Sequence, residues 1–74
     1  MRIWERDGYI IREVDFDYDL HEFEIVVDGE VKATITPDTI EDMEDIIQAL
    51  NDGADPVAEG WEDGTGNTIS LWLV

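Results

Sequence analysis

The chain has 74 residues, with 20 Asp and Glu against 4 Lys and Arg, and its formal net charge at pH 7 is -16. This charge excludes direct binding to nucleic acid or to an anionic membrane surface, because both repel an acidic protein. The length suits a single domain, residues 1–74, and is too short for two. Without Cys, neither a disulfide framework nor a thiolate metal site can form.

The apolar content predicts a folded protein despite the charge. Hydrophobic residues make up 43% of the chain and include three Trp, two Tyr and two Phe, whereas disordered acidic segments are poor in aromatic and β-branched residues. No apolar run has the length of a membrane span or of a signal-peptide core. We therefore expect a soluble, cytoplasmic protein.

The first half of the chain predicts four β-strands, beginning with residues 2–6 and 9–20 on either side of a hairpin signal, Asp7-Gly8. Apolar and polar residues alternate strictly at the end of the second strand, which predicts a half-buried strand. The apolar side, expected to be buried, carries Val14, Phe16, Tyr18 and Leu20, and the polar side carries Glu13, Asp15, Asp17 and Asp19.

The alternation then shifts by one residue, which requires a turn or a bulge between Asp19 and His21, and we favour a turn. Residues 23–27 predict the third strand. Asp28-Gly29 is a second hairpin signal, and residues 31–36 predict the fourth strand.

One helix is predicted by a single apolar stripe at helical spacing. The stripe consists of Ile40, Met43, Ile46, Ile47 and Leu50. Thr36-Pro37 offers an N-cap followed by Pro at the first helical position. Thr39, with Asp42 three residues later, is a weaker alternative start. Asn51-Asp52-Gly53 should end the helix.

The rest of the chain completes the predicted fold. Residues 57–62 predict a strand or an irregular arm, residues 63–67 a turn, and residues 68–74 a final strand. The sequence thus predicts the α+β class: one antiparallel sheet of four to six strands with one α-helix packed on it.

The residue types argue against an enzyme. His21 is the only histidine, and Ser70, the only serine, lies in an apolar strand, so a Ser-His-Asp arrangement is not expected. A chain of this length also leaves little room for a concave pocket. We therefore expect no catalytic residues and no cofactor.

A specific metal site is not expected either. Asp15-x-Asp17-x-Asp19 resembles the beginning of a calcium loop. Such a loop has Gly at its sixth position and Glu at its twelfth, where this chain has Leu20 and Val26.

Two groups of acids form the candidate partner-binding surface, with no Lys among them. The strand group is Asp15, Asp17, Asp19, Glu22 and Glu24, and the helix group is Asp38, Glu41, Asp42, Glu44 and Asp45. Rows of carboxylates resemble the phosphates of nucleic acid, which would attract the basic groove of a nucleic-acid-binding protein. Trp61, with acidic neighbours on both sides, is the predicted exposed apolar anchor.

A small, cysteine-free, acidic α+β chain with carboxylates on a strand and on a helix resembles the phage-encoded anti-defence proteins, among them anti-CRISPR proteins and other DNA mimics. The resemblance covers size, charge and element content, without an alignable motif. It implies an inhibitor in the host cytoplasm that blocks the basic DNA- or RNA-binding channel of a defence nuclease such as a CRISPR effector.

Other interpretations stay open. The protein could be an antitoxin or immunity-type module that neutralises a basic toxin, or a plain halophilic domain whose acids provide solubility in salt. The apolar final strand also allows a homodimer through pairing at a sheet edge.

Overall fold

The computed structural model describes residues 1–69, which form a four-stranded antiparallel sheet followed by one helix. The strands are β1 (Ile3–Arg6), β2 (Tyr9–Asp17), β3 (Leu20–Val27) and β4 (Glu30–Ile35), in the spatial order β1-β2-β3-β4, and the helix is α1 (Ile40–Asn51). This arrangement confirms the predicted α+β class. Within the predicted final strand, Thr68 pairs with Glu62 in a short antiparallel bridge, and residues 70–74 lie outside the described residues.

Both predicted hairpin turns are confirmed, at Asp7-Gly8 and Asp28-Gly29. Gly8 and Gly29 have φ values of 87° and 83°, in the left-handed region that glycine enters without steric cost. These two turns place β1 against β2 and β3 against β4.

The prediction of which residues of the second strand are buried was wrong at Glu13, Phe16 and Tyr18. Ile11 and Glu13 are buried, whereas Phe16 is 50% and Tyr18 100% exposed. The reason lies in the pairing of β2 with β3, since Ile11 is opposite Ile25, which is fully buried in the core that α1 covers. Side chains alternate between faces along a strand, so Glu13 shares the face of Ile11. Asp15, Asp17 and Asp19 are exposed as predicted, and Leu20 packs against the core.

The shift in phase between β2 and β3 is accommodated by a turn and a bulge together. The turn expected between Asp19 and His21 is present but lies slightly earlier, at Tyr18-Asp19. In addition, the pairing register shifts between Asp15 and Asp17, which leaves Phe16 as the extra residue of a β-bulge. Only the turn had been expected.

The core lies between one face of the sheet and α1. Its buried residues are Trp4, Tyr9, Ile11, Phe23, Ile25, Ile35, Met43, Leu50, Val57 and Ile69. The rings of Trp4 and Phe23 pack with centroids 6.0 Å apart, a separation typical of favourable aromatic pairs. The indole N–H of Trp4 donates to Asn51 Oδ1 at 2.8 Å, which ties β1 to the end of α1.

The helix begins at the alternative predicted start. Thr39 is the N-cap, and its hydroxyl oxygen accepts the backbone N–H of Asp42 at 3.0 Å. The preferred start at Thr36-Pro37 was wrong, because Thr36 directly follows β4 and its hydroxyl donates to Glu22 at 2.7 Å.

The predicted stop signal is supplemented by a contact from β1. The Arg6 guanidinium donates to the backbone oxygens of Leu50, in the last turn of α1, and of Ala54, just after it, each at 2.7 Å. Carbonyl groups at a helix C-terminus lack partners within the helix, so these contacts stabilise the end of α1.

Residues 54–69 confirm the irregular arm and the turn at 63–67. The arm adds Val57 and Ile69 to the core, and Gly64 N–H donates to Thr34 O of β4 at 2.8 Å. No helix in the described part of the chain has the length and the apolar character needed to cross a membrane.

Candidate partner-binding surface

The β2–β3 turn and the residues before α1 meet at one end of the molecule. Asp17, Asp19 and Asp38 line the same shallow depression of about 300 Å³. We call these three residues the acidic end. The fold therefore joins the strand group of acids to the helix group, although the two lie about twenty residues apart in sequence.

Apolar side chains line the same depression. Tyr18, Leu20 and Ile40 contribute to it, and Tyr18 is 100% and Ile40 48% exposed. The sequence had predicted a buried Tyr18. The two-residue turn instead places it at the tip of the hairpin, away from the core.

The outer face of α1 continues the acidic surface. Glu41, Asp42, Glu44 and Asp45 are all exposed, and the helical rise spreads them over about 6 Å. Duplex DNA, with one phosphate per ~1.7 Å of its axis, carries roughly three to four in the same length. The local charge density at the start of α1 is therefore comparable to that of a duplex, whereas the rest of the helix carries no acid.

The basic residues lie elsewhere. Arg2 pairs with Glu13 at 3.1 Å, Arg12 pairs with Glu24, and Lys32 pairs with Glu30 at 3.0 Å. Arg6 is occupied by the backbone oxygens at the end of α1. Within residues 1–69, no ion pair joins a Lys or Arg to the acidic end or to the outer face of α1.

Glu13 is not part of the acidic surface predicted for the second strand, because it is buried and only 2% exposed. Its carboxylate accepts from the Arg2 guanidinium at 3.1 and 3.2 Å and from Arg2 N–H at 3.0 Å. His21 Nδ1 lies 2.7 Å from Glu13 Oε2. Burial raises the pKa of Glu13, but the hydrogen bonds with His21 and Arg2 outweigh it and hold this pKa below its ordinary value.

The rest of the strand group does not form one face. Asp15 is exposed, and its carboxylate lies 3.6 Å from His21 Nε2. Glu22 and Glu24 are half-buried, and each accepts a hydrogen bond, from Thr36 and from Arg12 respectively. By the alternation of β3 around the buried Phe23, these two acids lie on the sheet face that α1 leaves uncovered.

Trp61 is not the exposed anchor that the sequence predicted. The residue is half-buried and packs against the core, and its indole N–H donates to Glu59 at 3.4 Å. Tyr18 is the aromatic residue exposed at the acidic end. The one-residue slip of the alternation between Asp19 and His21 was the signal that could have located it, because a two-residue turn just before that slip removes Tyr18 from both strands.

No protein-family model, curated protein or solved structure matches the chain. Among residues 1–69, no three His, Cys, Asp or Glu side chains are grouped so that they could hold a metal ion. The candidate site is the surface composed of the acidic end, the outer face of α1 and the exposed Tyr18.

Proposed function

We propose that this protein binds a basic nucleic-acid-binding protein and inhibits it by occupying its nucleic-acid channel. The observation that carries the proposal is the acidic surface formed by the acidic end and the start of α1. Its local charge density at residues 41–45 is comparable to that of a duplex, while every Lys and Arg of the chain is engaged elsewhere.

The physical basis is electrostatic complementarity. A basic channel holds Lys and Arg side chains in positions that favour phosphates, and carboxylates at comparable spacing attract the same side chains. The net charge of -16 also accelerates encounter with a positively charged partner through long-range steering. Affinity should therefore fall steeply as salt concentration rises.

In this proposal the protein acts by binding, in a stoichiometric complex, and catalyses nothing. The resemblance to anti-CRISPR proteins and DNA mimics favours a host defence nuclease, such as a CRISPR effector, as the partner. The acids that would contact it most directly are Asp17, Asp19 and Asp38 at the acidic end, together with Glu41 and Asp45 on α1.

A competition experiment tests the proposal. A fluorescent DNA duplex is bound to a candidate CRISPR effector or restriction enzyme, and the protein is titrated against the complex. We expect displacement of the DNA at a fixed molar ratio, with parallel loss of cleavage. The triple variant Asp17→Lys, Asp19→Lys, Asp38→Lys should abolish displacement.

The matched control reverses the same number of charges at the opposite end of the sheet. Glu5, Asp7 and Glu30 are exposed there, and the triple variant Glu5→Lys, Asp7→Lys, Glu30→Lys changes the net charge equally without altering the acidic end. This control should retain most of the displacement. If both variants lose the same fraction of DNA displacement, the displacement depends on net charge alone and not on the acidic end. If the wild-type protein displaces DNA from no candidate, nucleic-acid mimicry is refuted. Binding to a basic toxin without an effect on nucleases would instead support the antitoxin alternative.

A further inference from the structure

We infer that the depression at the acidic end receives an arginine side chain of the partner, with the guanidinium group against the ring of Tyr18 and between the carboxylates. This inference rests on the proposed function and names the contact that would give it specificity. It uses the apolar residues of the depression, which a purely electrostatic account leaves without a role.

The lining of the depression matches the two parts of an arginine side chain. Leu20 and Ile40 supply aliphatic surface, and Asp17, Asp19 and Asp38 supply carboxylates. An arginine buries its aliphatic stem along apolar surface while its guanidinium makes charge-assisted hydrogen bonds to carboxylates. A purely apolar ligand would match only the aliphatic surface, and an anionic group would be repelled by the carboxylates.

Tyr18 contributes little to the fold that holds it. Its side chain is 100% exposed, and its φ of 39° lies in the left-handed region, which is costly for a bulky residue and easy for glycine. An exposed ring beside carboxylates is available for a cation–π contact.

Arginine fits this arrangement better than lysine. The guanidinium is planar, weakly hydrated and able to bridge two carboxylates while it stacks on an aromatic ring. The lysine ammonium is a compact and strongly hydrated charge that gains less from the ring. The depression should therefore discriminate between the two cations, whereas the outer face of α1 should accept either.

Two peptides of nine residues, one of arginine and one of lysine, provide the test. Their affinities for the full chain are measured by calorimetry at one ionic strength, and ¹⁵N-resolved NMR locates the contacts. We expect the arginine peptide to bind more tightly and to shift the resonances of residues 17–20 and 38–40. Tyr18→Ala should weaken its binding by roughly two- to fivefold and leave the lysine peptide nearly unaffected.

Companion variants separate the ring from other effects. Tyr18→Phe should keep the preference for arginine, because the ring is retained. Tyr18→Gly should lose the preference while relieving the backbone strain, so a folding defect cannot explain its result. Val31→Ala, which truncates another exposed apolar residue away from the acidic end, should change neither affinity.

The outcomes distinguish this inference from the proposed function. If both peptides bind equally and Tyr18→Ala changes neither, the arginine site is refuted, while intact displacement of DNA would leave the proposed function standing. If Asp38→Asn lowers the affinity for the arginine peptide no more than Asp28→Asn does, the depression is not the binding site. If the wild-type chain binds neither peptide and displaces no DNA, both proposals fail.

Discussion

His21 Nδ1 lies 2.7 Å from Glu13 Oε2, so the single histidine of the chain contacts a carboxylate that is 2% exposed. Arg2 approaches the same carboxylate from the N-terminal side. One carboxylate on β2 thereby connects the residue before β1 to β3. Glu13, which the sequence predicted to be on the surface, is therefore a buried residue that links parts of the fold.

This contact predicts a specific pH dependence of stability. The pKa of Glu13 is lower in the folded state than its ordinary value of 4.5. Its stabilising contribution is therefore fully present above about pH 4.5 and is lost as the pH falls through the lower folded value. Glu13→Gln lacks this contribution and should be about 1–3 kcal/mol less stable at pH 7.

Urea unfolding between pH 7 and pH 3 measures the effect. Protonation of the many surface acids changes the stability of both proteins alike, so the difference between wild type and Glu13→Gln isolates the buried carboxylate. That difference should shrink below about pH 4.5, and a constant difference across the range would contradict the role assigned to Glu13.

The start of α1 gives a second prediction. Thr39→Ala removes the oxygen that accepts Asp42 N–H and should lower the free energy of unfolding by about 1 kcal/mol. Thr39→Ser retains the acceptor and should remain close to wild type. Thermal unfolding followed by circular dichroism compares the three proteins, and an undiminished Tm for Thr39→Ala would argue against this cap.

Trp61 and Tyr18 should respond to truncation in opposite ways. Trp61 packs against the core, so Trp61→Ala should cost about 1–3 kcal/mol of stability, below the range for a fully buried aromatic. Tyr18 is fully exposed, and Tyr18→Ala should change stability by less than ~0.5 kcal/mol. Denaturant unfolding at pH 7 measures the stability of both variants. A larger loss of stability in Tyr18→Ala than in Trp61→Ala would contradict the observed packing.

Salt dependence separates a functional acidic surface from halophilic adaptation. In the proposed function, the core and the caps keep the protein folded at low ionic strength, and added NaCl raises Tm only modestly by screening repulsion among the acids. A halophilic domain would unfold when salt is removed. A melting curve in ~10 mM buffer, compared with one at ~1 M NaCl, distinguishes the two.

The sequence by itself determined the local elements of this protein. Asp7-Gly8 and Asp28-Gly29 specified their turns, since two residues suffice to set the backbone of a hairpin. The stripe from Ile40 to Leu50 specified α1, because a period of 3.6 residues defines one apolar side of a helix. The exposed acids of α1 followed directly from that stripe.

The tertiary structure decided which face of β2 is buried and which distant residues meet. Both faces of this strand carry apolar residues, such as Ile10 and Ile11, so alternation alone cannot identify the covered side. Pairing with β3 and packing of α1 on one face buried Glu13. The turn at Tyr18-Asp19 exposed Tyr18. The same packing brought Asp38 to Asp17 and Asp19, because long-range contacts depend on how the elements pack and not on the periodicity within any one of them.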